Sequence, residues 1–343
     1  MRNVVRGCYV ASDDLALLRK RLVDRIKRVV TVEAAFFAAA DPETLLFTSA
    51  WADAPLAAEA PRFLDNEFAT TFDVNRFALL AGAPRAIATL DEATHGDRAA
   101  SPRFREIMAP LRLGDELRVA LRTGTTTWGF LCLHREGKTG FSAKEVALLN
   151  AIAPHAGEAL RRIVAGSLST LPRPSEEEPG VVLTEGDVVV GMTCAAASWL
   201  VELEGRNVAV GDRVPFSLLA VIRRLDALER ITLASPPRFS MTTRGGALLE
   251  VHAARLRGSR GKNEVAITLA PAGAVARSTL LLAARGLTPA ERRVARLVLQ
   301  GRSTREIAGD LRIGEHTVQD HLKAVFEKVG VRSRRDLVAA LMH

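Results

Sequence analysis

The stretch that decides the fold is "LTPAERRVARLVLQGRSTREIAGDLRIGEHTVQDHLKAVFEKVGVRSRRDLVAAL", residues 287–341. Its punctuation recurs. Thr288 precedes Pro289, whose fixed φ suits a first helical turn, and Glu291 completes a capping box with Thr288. "STRE" repeats the device with Ser303 and Glu306, and "SRRD" with Ser333 and Asp336. Gly301 and Gly330 stand where helices end in the left-handed conformation that glycine tolerates. The spacing predicts four short helices, about 289–299, 303–311, 315–329 and 334–341. The three residues "RIG" join the second to the third, which is helix-turn-helix spacing.

At about 100° per residue the third helix has two faces. Val318, Leu322, Val325, Phe326 and Val329 gather on the side predicted to face a core. His316, Asp320, Lys323, Ala324 and Glu327 point the other way, with Thr317 and Gln319 on the flanks. Gln319 and Lys323 are four apart and therefore neighbours. A DNA major groove admits one such helix. There a Gln amide matches an adenine edge, a Lys donates to guanine, and an Asp accepts from cytosine N4. Arg305, Arg332 and Arg334 lie beside this face, where cations hold phosphates. Residues 286–343 contain eleven Lys/Arg against seven Asp/Glu, a net +4, so half of the chain's net +8 sits in its last sixth. Such a field favours a polyanion, double-stranded DNA above all.

The pattern "LTPAE", "G-S-REIA", "HTV--HL" and "F-KVGVRSR" resembles the LuxR-type helix-turn-helix domain along about 55 of the 343 residues. The resemblance implies a four-helix DNA-binding domain whose third helix reads the major groove and whose last helix tends to dimerise. It places Gln319, Asp320 and Lys323 at base-contacting positions, and Arg305, His316, Thr317, Arg332 and Arg334 on phosphates. Two departures stand out. Gly314 replaces the usual Ser cap of the third helix. Gln319 occupies a position where Lys or Arg is frequent, which shifts the target sequence and weakens the reliance on charge.

Working outward, "STLPRPSEEEP" (169–179) combines spaced prolines with three glutamates and no apolar period, and reads as a linker. A softer joint lies at "APAGAVARS" (270–278). The N-terminal segment opens with a helical pattern, Leu15, Leu18, Leu22, Ile26 and Val29. It closes with another, in which Ser142 and Glu145 form a capping box and Val146, Leu149, Ile152 and Leu160 mark a face. Between them "EAAFFAAA", "ELRVALRT" and "TWGFLCLHRE" read as strands, with "RTGTTT" a hairpin turn. The central segment reads strand, turn, strand ("GVVLTEGDVVVGM"), two helices ("TCAAASWLVELE" and "PFSLLAVIRRLDALER"), then three strands, with the glycines at 245–246 marking a hairpin. The end of the first segment, "GFLCLHREGKTGFSAKEVALLNAIAPHAGEALRR", resembles a GAF domain, and the strand–helix–strand order of the second resembles a PAS domain. Both resemblances imply five- or six-stranded antiparallel sheets that enclose small molecules or pair subunits. The expected organisation is multidomain: two α+β antiparallel-sheet sensor domains, GAF-like at 1–168 and PAS-like at 180–272, then an all-α four-helix helix-turn-helix domain at 282–343.

Three widely separated cysteines, Cys8, Cys132 and Cys194, form no disulfide framework or thiolate metal site, and a reducing cytosol is the expected setting. No apolar run approaches the roughly 18 residues of a membrane span, and "MRNVVRGCYVASDD" meets acids too early for a secretory leader. The stretch "CYVASDDLALLRKRL" looks like the start of a phosphoacceptor receiver domain. Asp41 comes too early for the acceptor and lacks the Met-Pro-Gly that usually follows one, so the acids are expected to cap the first helix. Cys132 in "FLCLH" is expected to be inert core, and His134 and His252 structural rather than haem ligands. The basic "RLRGSRGK" (255–262) is expected to be a solvated hairpin tip. The function expected is a sequence-specific transcriptional regulator that binds DNA as a homodimer under sensor control. A small-molecule effector and RNA polymerase are further partner classes open to such a protein, and the sequence identifies neither an effector nor a cofactor. Two competing readings remain. A sensor kinase would use His155 in "IAPHAGEAL", but the residue immediately after that histidine is not acidic and no glycine-rich phosphate-binding loop follows. A helix-turn-helix that docks to another regulator instead of DNA would use Asp320 and Glu327.

Overall fold

A computed structural model of the 343-residue chain describes residues 4–5, 8, 14–68, 72–169, 178–230, 237–256 and 264–342. In the N-terminal domain, α1 (Leu15–Lys27) leads into β1 (Ala34–Ala40) and β2 (Phe47–Ala52). Short helices α2 (Ala54–Ala58), α3 (Ala60–Phe68) and α4 (Phe77–Gly82) precede β3 (Ile87–Thr89) and α5 (Leu90–Ala93). The hairpin β4 (Leu113–Thr123) and β5 (Thr126–Glu136) is followed by the long α6 (Ala143–Ser169). Asp14 caps α1 through Ala16 N and Leu17 N, as a capping rather than phosphoacceptor acid should. Val29 departs from the expected face. α1 stops at Lys27, two residues before Val29, which is 54% exposed.

The strands form an antiparallel sheet of order β2-β1-β5-β4-β3. Its interior strand β1 is buried on both faces, and alternation divides them. Ala35 and Phe37 face α1 and α6 with Leu131 and Leu133; Phe36, Ala38, Phe130 and Cys132 face α3 and α4. The capping box of Ser142 and Glu145 starts α6, which continues through Pro154. At Gly157 an added Cβ would lie 2.6 Å from the Arg122 carbonyl oxygen, so α6 crosses β4 closely only because that residue is glycine. Sequence patterning does not foresee β2, β3 or the short helices α2 to α5, because they are short and their apolar residues are irregularly spaced.

The central domain repeats the plan. β6 (Gly180–Glu185) and β7 (Val188–Met192) are followed by α7 (Cys194–Glu204) and α8 (Phe216–Arg230). Strands β8 (Arg238–Thr242), β9 (Leu248–Arg255) and β10 (Glu264–Pro271) complete a sheet of order β7-β6-β10-β9-β8. In both sheets, therefore, the order is second, first, fifth, fourth, third. The β8–β9 turn uses Gly246 at φ 86°, and the β4–β5 turn uses Gly124 at φ 59°. His252 differs from expectation: it points outward from β9 and is exposed. Residues 170–177 of the expected linker and residues 257–262 of the basic tip lie outside the described residues.

The segment read as a soft joint carries the end of β10 and the start of a helix, α9 (Ala274–Ala284). Leu280, Ala283 and Ala284 pack into the apolar layer beneath α6, while Leu282 packs into the C-terminal bundle. That bundle consists of α10 (Pro289–Leu299), α11 (Thr304–Leu311), α12 (Glu315–Val329) and α13 (Arg334–Met342). Two of the three expected boxes are complete, Thr288 with Glu291 and Ser303 with Glu306. The third is half-formed. Asp336 N donates to Ser333 Oγ at 3.1 Å, but no reciprocal bond is formed, an Asp side chain being one methylene shorter than Glu.

Candidate nucleic-acid interface

The bundle places its second and third helices as the sequence requires. α11 ends at Arg312, which takes the left-handed conformation (φ 55°), and Gly314 begins α12 with extended backbone and no side-chain cap. Val318, Leu322, Val325 and Val329 are buried and Phe326 is half-buried, against Ile307, Val294 and Leu337. Lys328 Nζ donates to Glu291 Oε2 at 2.7 Å, tying the back of α12 to α10. Burial opposes ionisation of Glu291, but the ammonium and the Thr288 amide hold its carboxyl below the ordinary value. One face of α12 is thus fixed by packing and an ion pair, and the other is left to solvent.

On that outer face His316, Thr317, Gln319, Asp320, Lys323 and Glu327 are all exposed. Ala324 is half-buried, at the edge of the face rather than on it. His316 Nδ1 and Asp320 Oδ2 are 3.2 Å apart, one helical turn separating them. Gln319 and Lys323 form no hydrogen bond or ion pair among the described residues, so their polar atoms are available to a ligand. Arg305 and Arg332 are likewise exposed without a partner among the described residues. Arg334 differs. It is half-buried, and its guanidinium donates to Arg302 O and Thr304 Oγ1, both at 2.8 Å, clamping the start of α13 to the start of α11. Sequence reasoning missed Arg312, an exposed cation in the turn immediately before α12. Its signal was present in "RIG", a basic side chain at the entrance to the outward helix.

The first domain holds a different constellation. Under α3 and α4 a chain of buried alternating charges runs Asp73, Arg103, Glu116, Arg118, Glu67. Arg103 lies 3.3 Å from Asp73 and 2.6 Å from Glu116. Arg118 lies 3.0 Å from Glu116 and 2.7 Å from Glu67, with its guanidinium over the Phe77 ring at 4.3 Å. Burial would raise the Glu116 carboxyl, but the two guanidiniums hold it well below the carboxylate range. Glu116, Cys132 and His134 bring three donor atoms within 4.8 Å, a metal-like grouping invisible to sequence spacing because it spans two strands. The donors do not suit a cation. Both guanidiniums already neutralise Glu116, and Arg103 and Arg118 would repel a further positive charge at that distance. Cys132 is fully buried, and burial followed by Glu116 pushes its thiol well up, so it is not poised as a nucleophile. Burial lowers His134 to about 4, keeping it neutral. The apolar space beside this network is filled by Phe36, Phe47, Phe63, Phe77 and Phe130, and by Phe216 from α8 of the central domain, whose ring stacks 6.0 Å from that of Phe47. The cavity left among Phe36, Leu56, Phe63 and Phe216 is about 20 Å³. That is room on the scale of one water.

The family model for GAF domains matches residues 14–160, and that for bacterial regulatory proteins, luxR family, matches residues 285–341. Together with the helix-turn-helix and its solvent-facing helix, these define a DNA-binding transcriptional regulator with a GAF domain. The chain belongs to the luxR family of bacterial regulatory proteins. It is 41% identical over 56 residues to spore germination protein GerE of Bacillus subtilis (strain 168), a stretch covering 16% of this chain and 76% of the relative. GfsR of Streptomyces halstedii is 28% identical over 185 residues, 53% of this chain and 66% of the relative. The tetrathionate response regulatory protein TtrR of Salmonella typhimurium (strain LT2) is 41% identical over 75 residues, 22% of this chain and 36% of the relative. The chain therefore spans just under two thirds of GfsR and about a third of TtrR. No helix among the described residues is long and apolar enough to cross a membrane.

Proposed function

We propose that α12 enters the major groove with Gln319, Asp320 and Lys323 against base edges, while Arg305, Arg312, His316, Thr317 and Arg332 hold the flanking phosphates. The observation that carries this reading is the free state of Gln319 and Lys323, four residues apart on the outward face of a helix whose other face is fixed by the core. Polar side chains with no partner inside the protein are matched by the donor and acceptor edges of a groove. The uncapped N-terminus of α12 adds unsatisfied backbone amides, which favour a phosphate at that end. Arg334 serves first as a clamp, and contributes to phosphate binding by holding the α11 entrance in place.

In this reading the protein is a homodimer, and two-fold symmetry makes the target an inverted repeat with half-sites about one DNA turn apart. The domains divide at 1–168, 180–272 and 282–343, the central domain being PAS-like in its succession of two strands, two helices and three strands around one antiparallel sheet. The protein is a cytoplasmic, non-enzymatic regulator, with RNA polymerase and a small-molecule effector as further partners. With the first domain's apolar space closed by Phe216, an effector entering there has to displace a side chain of the second domain. Selection of duplexes from a random pool by the purified chain tests the central claim. Enrichment of one inverted repeat, bound more weakly as salt rises, is the expected result; recovery of unenriched sequence would refute it.

A further inference from the structure

We propose that the β1–β2 loop, Asp41 to Leu46, is a coupling element that links the state of the central domain to the freedom of the DNA-binding bundle. The loop touches all three domains. Asp41 Oδ2 accepts from Ser240 N on β8 at 2.7 Å, while Oδ1 accepts from Glu43 N at 2.8 Å within the loop. Two residues on, Glu43 Oε1 lies 3.0 Å from Arg292 Nε, and Oε2 accepts from Arg296 Nη1 at 3.2 Å, both arginines on α10. Arg292 is only 6% exposed, and its Nη1 also donates to Thr126 Oγ1 at the β4–β5 turn at 3.0 Å. A single short turn thus holds the central sheet with one carboxylate and the bundle with the next.

The turn is stiff. Leu45 takes φ 61°, a conformation costly for a bulky side chain, and its N–H donates to Asp41 O at 2.8 Å; Asp41 N donates to Leu46 O at 3.0 Å. A strained loop braced in this way passes displacement of one end to the other instead of absorbing it. Breaking the Ser240 contact lets the Asp41 carboxylate turn, and the Glu43 backbone bonded to it moves with it. Meanwhile α12 keeps its reading face exposed in the docked arrangement. The contact therefore restrains the orientation of the bundle without covering that face. Release frees the bundle to adjust to DNA.

This inference rests on the DNA-binding reading for one of its two assays only. Glu43→Gln weakens the bundle side, and Asp41→Asn removes one carboxylate acceptor on the central-domain side while leaving the Glu43 contacts to Arg292 and Arg296 in place. In the full-length chain, hydrogen exchange should rise at the Ser240 amide and around Leu287–Thr288, ahead of α10, in both variants. Because the Asp41 charge also acts on Arg292, Ser240→Pro, which alters no charge, should raise exchange at Leu287–Thr288 as well. This assay needs no duplex. Affinity for the selected duplex should rise about fivefold or more in each variant, and the double variant should exceed neither by much, as reciprocal coupling requires. If Asp41→Asn fails to fold, Ser240→Pro removes the same donor on an edge strand, where the amide points away from β9. Exchange confined to the contact that was mutated, or affinity effects that simply multiply, would overturn the coupling. Coupled exchange with no duplex binding by any form would instead overturn the DNA reading and leave the loop's role standing.

Discussion

Lys323→Ala is the sharpest probe of the interface because the side chain has no structural duty. Lys323 is exposed and forms no ion pair or hydrogen bond among the described residues. Its loss should therefore leave thermal stability within about 0.5 kcal/mol of the parent, the usual range for surface changes. A good base contact discriminates by about 1–3 kcal/mol, so affinity for the selected duplex should fall roughly 5- to 150-fold. Arg332→Ala serves as the counterpart. A phosphate contact carries no sequence information, so that variant should weaken all duplexes alike and lower the slope of log K against log salt by about 0.9. Fluorescence anisotropy across about 50–200 mM salt, on the selected duplex and on duplexes substituted base by base, separates the two. Lys323→Ala should flatten preference at one base position. Affinity unchanged by Lys323→Ala and Gln319→Ala together, on a folded protein, would refute the placement of α12 in the groove.

Other outcomes follow from particular contacts. Arg334→Ala leaves Arg302 O and Thr304 Oγ1 without their donors, and should cost about 1–2 kcal/mol of stability by calorimetry, a loss absent from Arg332→Ala. Glu116→Gln removes the carboxylate shared by two buried guanidiniums, leaving Arg103 to Asp73 and Arg118 to Glu67, and should destabilise the first domain by up to about 3–5 kcal/mol in chemical denaturation. His134 binds a proton in the unfolded chain near its ordinary pKa but only near 4 when folded. The unfolded state thus holds more protons between those values, and stability falls as pH drops from about 6.5 towards 4, by on the order of 3 kcal/mol. His134→Gln should flatten that decline relative to the parent. Asp41, raised by burial to about 6, acts in the opposite sense in part of this window, but is common to both proteins and cancels from the comparison.

The bundle was legible in the sequence because its instructions are local. Thr288, Ser303, Gly301 and Gly330 act on backbone groups three or four residues away, and the period of Val318, Leu322, Val325 and Val329 selects the buried face without outside help. The outward set Gln319, Asp320 and Lys323 followed from the same period, and their exposure agrees with it. The central domain's strands and helices were readable for similar reasons, each being long or bounded by turn residues.

What only tertiary structure decided lies at long range. Arg296 and Glu43 meet across 253 residues and Arg292 and Thr126 across 166, and no local pattern marks either pairing. Nothing in the sequence marks Glu67, Arg103, Glu116 and Arg118 as a buried set, because they come together only when a helical cap closes over the strand. Arg334 had the composition of a phosphate contact and became a clamp, because α13 starts beside α11. Periodicity can assign a side chain to a face. It cannot say which distant group will fill the space opposite, since that depends on how whole elements pack, and each partner is chosen by burial and charge only after the chain has folded.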